Sequence, residues 1–195
     1  NLETFAEDLE TALNGEAIVN ELPRLQAIID TTSGNRFTTD PAMNDLLIAN
    51  THQYAPSKYH LRRGDNKCHQ QSSGLLFSTW LGQGAWLANA AGKGDLELLF
   101  KRVKNEHKSS HYFVLARDIA PSEREGMPWS WMDWTDEPTT ITSDMHRGYV
   151  VPDGWDEVHF NRGASITVNA DAPQLRLLTF RRSMTDRLDA FIAGE

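Results

Sequence analysis

An α+β fold is what this 195-residue sequence predicts, on three observations. Residues 1–56 place apolar side chains at spacings of three and four, the period of helices. From Lys58 onward the apolar residues alternate or run in short blocks, as strands do. After Tyr149 such blocks recur between Gly154, Gly163 and Pro173, the punctuation of successive strands. Hydrophobic content of 39% and charged content of 24% suit a folded chain able to bury a core without staples. With no repeat, low-complexity tract or linker, the reading is a single domain, 1–195, in which 1–56 is a mainly helical layer and 57–195 a mixed α/β core.

Leu2, Phe5, Leu9 and Leu13 define a first helix, with Asn14-Gly15 as its stop. Leu22, Leu25, Ile28 and Ile29 give a second apolar face. Asp40-Pro41 is a helix start, with Asp as cap and Pro in the first turn, and Met43, Leu46 and Leu47 then face inward up to Pro56. In the next segment Tyr59, Leu61 and Arg63 alternate with His60 and Arg62. This puts Arg63 on the face of the apolar pair, toward the interior or a cleft. Leu75 to Trp80 reads as a buried strand. A helix through Leu87 and a firmer one over Asp95 to Glu106, capped by Asp95, follow before a strand at Tyr112–Ala116. Asp118 to Arg147 carries three prolines, Trp129, Trp131 and Trp134 and no periodicity, the profile of a functional or mobile loop. Strands at Tyr149–Val151, Glu157–Phe160, Ser165–Val168 and Leu175–Phe180 precede a last helix capped by Ser183, with Leu188, Phe191 and Ile192 on one side.

The net charge is −8, and it is uneven. Glu3, Glu7, Asp8, Glu10, Glu16, Glu21 and Asp30 against Arg24 place −6 in the first thirty residues, leaving −2 for the rest. An acidic face there argues against nonspecific duplex binding through that end. No apolar run approaches the ~20 residues of a membrane span, and no basic-then-apolar signal segment opens the chain. The expectation is a soluble protein without membrane contact, cytoplasmic or delivered as a secreted effector; the start at Asn1 leaves secretion open. Cys68 as lone cysteine excludes a disulfide framework and any multi-cysteine zinc site. With His60 and His69 nearby it is a candidate nucleophile; a half-buried bystander is the commoner fate.

The chemistry-bearing residues come in an order: Arg63-Gly64 ending a strand, then Phe77-Ser78-Thr79, then Glu157-Val158-His159-Phe160-Asn161-Arg162-Gly163-Ala164-Ser165-Ile166-Thr167-Val168. On these segments, from about Pro41 to Phe180, the chain resembles the ADP-ribosyltransferase superfamily of the arginine–serine–glutamate kind found in toxins and phage modifiers. The resemblance implies two facing, mainly antiparallel sheets forming a split NAD cleft. It implies a mono-ADP-ribosyltransferase that cleaves the nicotinamide–ribose bond of NAD, its substrate, and passes ADP-ribose to a macromolecular acceptor, a protein or a nucleic acid, with no metal. Arg63, beside Gly64, would anchor a phosphate or ribose with its planar fork. Ser78 would orient the glutamate, with Thr79 supporting the strand, and Trp80 or Phe77 would stack on nicotinamide. Glu157 would stabilise charge on the oxocarbenium-like centre. The pattern departs at Trp155, where many members carry Glu or Gln two positions before that glutamate. This puts arginine as the acceptor in doubt.

Two other classes compete. Seven histidines and the run of short strands suit a metal-dependent cupin-like barrel, and His107 and His111 would share a helix face, but no His-x-His cluster with a following Glu is present. Trp129, Trp131 and Trp134 suit a carbohydrate- or protein-binding patch without catalysis. Gly82-Gln83-Gly84 is set aside as a dinucleotide fingerprint, because the sequence around it does not read as strand, turn and helix.

Overall fold

A computed structural model describes residues 4–84, 86–92, 94, 95, 97, 110–126 and 128–180. Most of the helix expected over Asp95 to Glu106, all of the one after Ser183, and His107 lie outside the described residues. The chain forms two compact units, Asn1–Leu22 with Gln174–Glu195, and Pro23–Pro173.

In the first unit, helix α1 (Phe5–Leu13) carries the expected amino-terminal face. Strand β1 (Ile18–Leu22) pairs antiparallel with β14 (Leu175–Thr179), Ile18 opposite Thr179 and Leu22 opposite Leu175. Asn20 Nδ2 donates to Thr179 Oγ1 at 2.9 Å across this pair.

The second unit is a sandwich of two six-stranded antiparallel sheets. One runs β3-β2-β13-β10-β5-β6, from Arg36–Thr38, Gln26–Asp30, Ser165–Asn169, Thr139–Ser143, Ser57–Arg63 and Asn66–Ser72. The other runs β12-β11-β4-β7-β8-β9, from Val158–Asn161, Arg147–Pro152, Asp45–Asn50, Leu75–Ser78, Tyr112–Ala116 and Met132–Thr135. Tyr59, Leu61, Ile29, Ile141 and Ile166 of the first sheet and Leu46, Ile48, Phe77, Val114 and Phe160 of the second form one buried core. Helices are short: α2 (Trp86–Ala90) after a 3-10 turn at Trp80–Gly84, α3 (Pro121–Gly126) and α4 (Pro128–Trp131).

This architecture corrects the helical layer expected over 1–56. Leu25, Ala27 and Ile29 are fully buried at every second position, so the segment is strand β2; its apolar residues fit both periods, and sheet pairing decides. Asp40-Pro41 caps no helix; Ala42 instead bridges Leu25. Leu46 to Ala49 is buried on both faces of β4, which erases the alternation that marks a strand. The supposed loop from Asp118 to Arg147 is α3, α4, β9 and β10. The two sheets are open stacks with edge strands β3, β6, β12 and β9, not the closed barrel of the cupin reading.

Gly148 shows how tightly the sheets are set. It faces Phe160 across β11 and β12, and a Cβ there would overlap the Phe160 ring and approach the Ala49 carbonyl oxygen to 3.1 Å. Phe160 is 2% exposed, so the ring has nowhere to move. Gly148→Ala is expected to cost about 1–3 kcal/mol of overpacking strain, read by chemical denaturation; stability equal to the parent protein would contradict this packing.

Candidate functional site

The outer face of the second sheet carries the site. Asp45 on β4 pairs with Ser78 on β7, and Ser78 with Phe113 on β8. Phe113 is paired in turn with Trp134 on β9. A carboxylate, a hydroxyl and two aromatic rings therefore stand in a row across four strands.

The approach to Asp45 is held by a second carboxylate. Asp153 Oδ2 accepts from the Met43 N–H at 2.7 Å, and its Oδ1 accepts from the N–H groups of Asn44 at 2.8 Å and Asp45 at 3.0 Å. Asp153 itself takes a left-handed conformation, φ 45°, at the tight turn that Gly154 continues. Its own N–H returns to the Asp45 carbonyl at 2.8 Å. Three consecutive amides are thus fixed by one side chain.

From the other side, the 3-10 turn closes on the same residues. The Thr79 N–H donates to the Asn44 carbonyl at 3.0 Å, and Thr79 Oγ1 to the Met43 carbonyl at 2.6 Å. The Ser78 hydroxyl donates toward the Asn44 carbonyl at 3.2 Å. Gly82 passes so close that a Cβ would meet the Asn44 carbonyl oxygen at 2.5 Å and the Ser78 hydroxyl closer still. Only glycine fits there. Strand β7, the turn and α2 therefore do supply strand, turn and helix around Gly82 and Gly84, context that sequence reasoning found lacking.

Asp45 is 7% exposed, and its Oδ1 has no hydrogen-bond partner. Burial raises its pKa above 3.8, opposed by hydrogen bonds from the Ser78 hydroxyl and the Trp86 N–H and reinforced by the Asp153 charge. A buried carboxylate oxygen left unpaired costs stability unless something else bonds to it. Beside it, Leu47 and Ala49 continue along β4 into a hollow of about 490 Å3, walled by Trp86, Arg117 and Tyr149. The Arg117 guanidinium sits 5.3 Å from the Trp86 ring centroid. A planar aromatic wall, a cation and a buried acceptor together suit a nucleoside or dinucleotide.

Of the residues singled out in the sequence, Ser78, Thr79 and Trp80 lie in this site. Trp80 is 5% exposed. Arg63 and Gly64 do not; Arg63 ends β5 in the opposite sheet and Gly64 follows it. Arg63 is 4% exposed, with Nη1 on Asp133 Oδ2 at 2.8 Å and on the Trp129 carbonyl at 3.3 Å, and Nε on Thr139 Oγ1 at 3.1 Å. Thr139 also meets the Tyr112 hydroxyl at 2.9 Å, whose pKa burial pushes up to about 12. Gly64 opens the two-residue turn joining β5 to β6, at φ 53°. Glu157 is exposed beside His159 Nε2 at 3.0 Å. It precedes β12, three strand positions from β7, roughly 14 Å across the sheet. Asp45, Gly82 and Trp86 were missed. The signal for Asp45 was a single acid opening the otherwise unbroken apolar run Leu46 to Ala49.

No family model and no curated protein sequence matches this chain. Solved structures that share its fold include two kinases of nicotinamide dinucleotides. One is an NAD kinase from Archaeoglobus fulgidus in complex with ATP, at 13% identity and TM-score 0.63, covering 98% of this chain and 67% of that one. The other is yeast NADH kinase complexed with NADH, at 12% identity and TM-score 0.70, covering all of this chain and 55% of that one. The chain thus spans about two thirds of the first and about half of the second.

These likenesses overturn the resemblance to the ADP-ribosyltransferases, and with it the transfer of ADP-ribose, the toxin character and the macromolecular acceptor, which rested on that resemblance alone. The physical reason lies in the sandwich, which puts the arginine and the serine on different sheets and the glutamate at an edge. The binding-module reading fails as well. Trp134 is 5% exposed, and Trp129 and Trp131 pack against the core, so the three rings make no surface patch. No helix among the described residues is long and apolar enough to cross a membrane.

Asp45→Asn gives a direct test of the strained carboxylate. A folded-state pKa raised above 3.8 means the carboxyl favours folding below that value and progressively opposes it as pH rises through the folded pKa. The Asn variant lacks this titration. Its stability relative to the parent should therefore rise as pH climbs above the ordinary carboxylate pKa and level off once the pH has passed the raised folded-state pKa, measured by thermal unfolding across pH. A difference that is flat or falls with pH would contradict the assignment.

Proposed function

We propose that this chain is a dinucleotide-binding β-sandwich of the NAD(H) kinase type, taking NAD(H) on the outer face of its second sheet in a protein that phosphorylates the dinucleotide. The observation that carries the reading is Asp45 Oδ1, buried and unpartnered on the strand whose Leu47 and Ala49 line the hollow walled by Trp86. The two fold neighbours, one complexed with NADH and one with ATP, support the choice of ligand.

In this reading Asp45 accepts hydrogen bonds from ribose hydroxyls, as a carboxylate with free lone pairs can. The Trp86 backbone N–H orients it, and the Ser78 hydroxyl stands opposite it on the neighbouring strand. The Trp86 indole, backed by Arg117, stacks on a base, and the Arg117 charge faces the phosphates. Phosphoryl transfer onto NAD is the reaction class that goes with this ligand. Positioning a hydroxyl for in-line attack is the contribution that the Asp45 carboxylate would make to it.

Titration with NADH, followed by calorimetry, should give saturable binding of one dinucleotide. Asp45→Ala should weaken it by about 1.5–3 kcal/mol, the range for a hydrogen-bonded charged group, and Trp86→Ala by about 1–3 kcal/mol. In a coupled assay with ATP and magnesium, NADP formation from NAD should fall with the same variants. Absence of NADH binding at millimolar ligand, or affinity unmoved by both substitutions, would overturn the reading.

A further inference from the structure

The outer face of the first sheet holds a cluster that dinucleotide binding does not use. His60 on β5 and His69 on β6 are directly opposed across the hairpin. Asp144 leaves the end of β10 beside them, its N–H fixed to the Lys58 carbonyl at 2.9 Å. His60 Nε2 lies 3.1 Å and His69 Nε2 3.4 Å from the same carboxylate oxygen, Asp144 Oδ2. All three ligand atoms fall within 4.8 Å of one another.

We infer that His60, His69 and Asp144 form a binding site for a divalent first-row transition metal of the zinc kind. Two imidazoles and a carboxylate are the borderline donors such ions prefer, and bonds of about 2.0–2.1 Å in a tetrahedron place neighbouring donors roughly 3.3 Å apart. Two of the three edges already have that length. The third closes by rotation of the imidazoles, both of which are more than half exposed. Strand register sets the histidines and a backbone bond sets the aspartate, so little ordering entropy opposes binding. The Arg162 Nε donates to the Asp144 carbonyl at 3.0 Å, which steadies the third ligand from the opposite turn. The fourth position faces a hollow of about 360 Å3 that Arg62 and Lys67 border. Their charges, with Lys58 on the same face, keep affinity in the micromolar range rather than tighter and favour an anion or water as fourth ligand. The bound ion ties three strands of one sheet together.

Cobalt(II) titration of the untagged full chain tests this. One equivalent should bind at micromolar affinity and give the visible absorption of tetrahedral cobalt, displaced by zinc, and zinc should raise the unfolding temperature. His60→Ala, His69→Ala and Asp144→Asn should each weaken binding at least roughly tenfold, while His159→Ala should not. Because these side chains are exposed, the variants keep the fold, which NADH binding and the metal-free unfolding temperature verify independently. No absorption at millimolar cobalt, or binding unchanged by His60→Ala and His69→Ala, would overturn the site.

Discussion

The hydrogen bonds from Met43, Asn44 and Asp45 to the Asp153 carboxylate are the constraint on which the proposed site depends. They stop the chain at the entry of β4, so that the Asn44 carbonyl is presented to Ser78 and Thr79. That carbonyl leaves room only for a glycine at position 82. The turn that Gly82 permits then brings Trp86 to the hollow that Leu47 and Ala49 also line, and its backbone N–H toward Asp45. Remove the cap and each later placement loses its reference point.

The same arrangement explains why Asp45 is held at a cost. A carboxylate with one unpartnered oxygen beside a second carboxylate works against folding, and burial is the largest cause of its raised pKa. Such local strain persists where the surrounding packing over-determines it, which is characteristic of binding sites. Arg63 is the contrasting case. Its guanidinium is at least as buried, and its Nη1 and Nε are engaged within the fold, joining β5 to Asp133 on β9 and to Thr139, while Nη2 has no partner. The two differ in their surroundings: Arg63 is paired with a carboxylate of the fold, whereas Asp45 stands beside a second carboxylate.

Much of the sandwich was legible in the sequence. Tyr59, Leu61 and Arg63 alternate as they do in β5, and the strands at Tyr112, Tyr149, Ser165 and Leu175 stand close to their expected positions. The amino-terminal strands were not legible, because Leu25 to Ile29 fits a helix and a strand equally and Leu46 to Ala49 is buried on both faces. Only pairing with distant partners decides such segments. The site was hidden for the same reason. Asp45 meets Ser78 through sheet register across more than thirty positions, and the need for glycine at 82 arises from a carbonyl far upstream. Ser78 and Thr79 drew notice as a hydroxyl pair, but in the wrong company: the arginine and glutamate joined to them by sequence order lie on another sheet and at a sheet edge.

The most direct test of the account is a crystal structure of this protein with NADH bound. The dinucleotide is expected on the outer face of the second sheet, with ribose hydroxyls on the Asp45 carboxylate and a base against Trp86. A dinucleotide seated elsewhere, with Asp45 Oδ1 still unpartnered and the hollow at Trp86 empty, would contradict it.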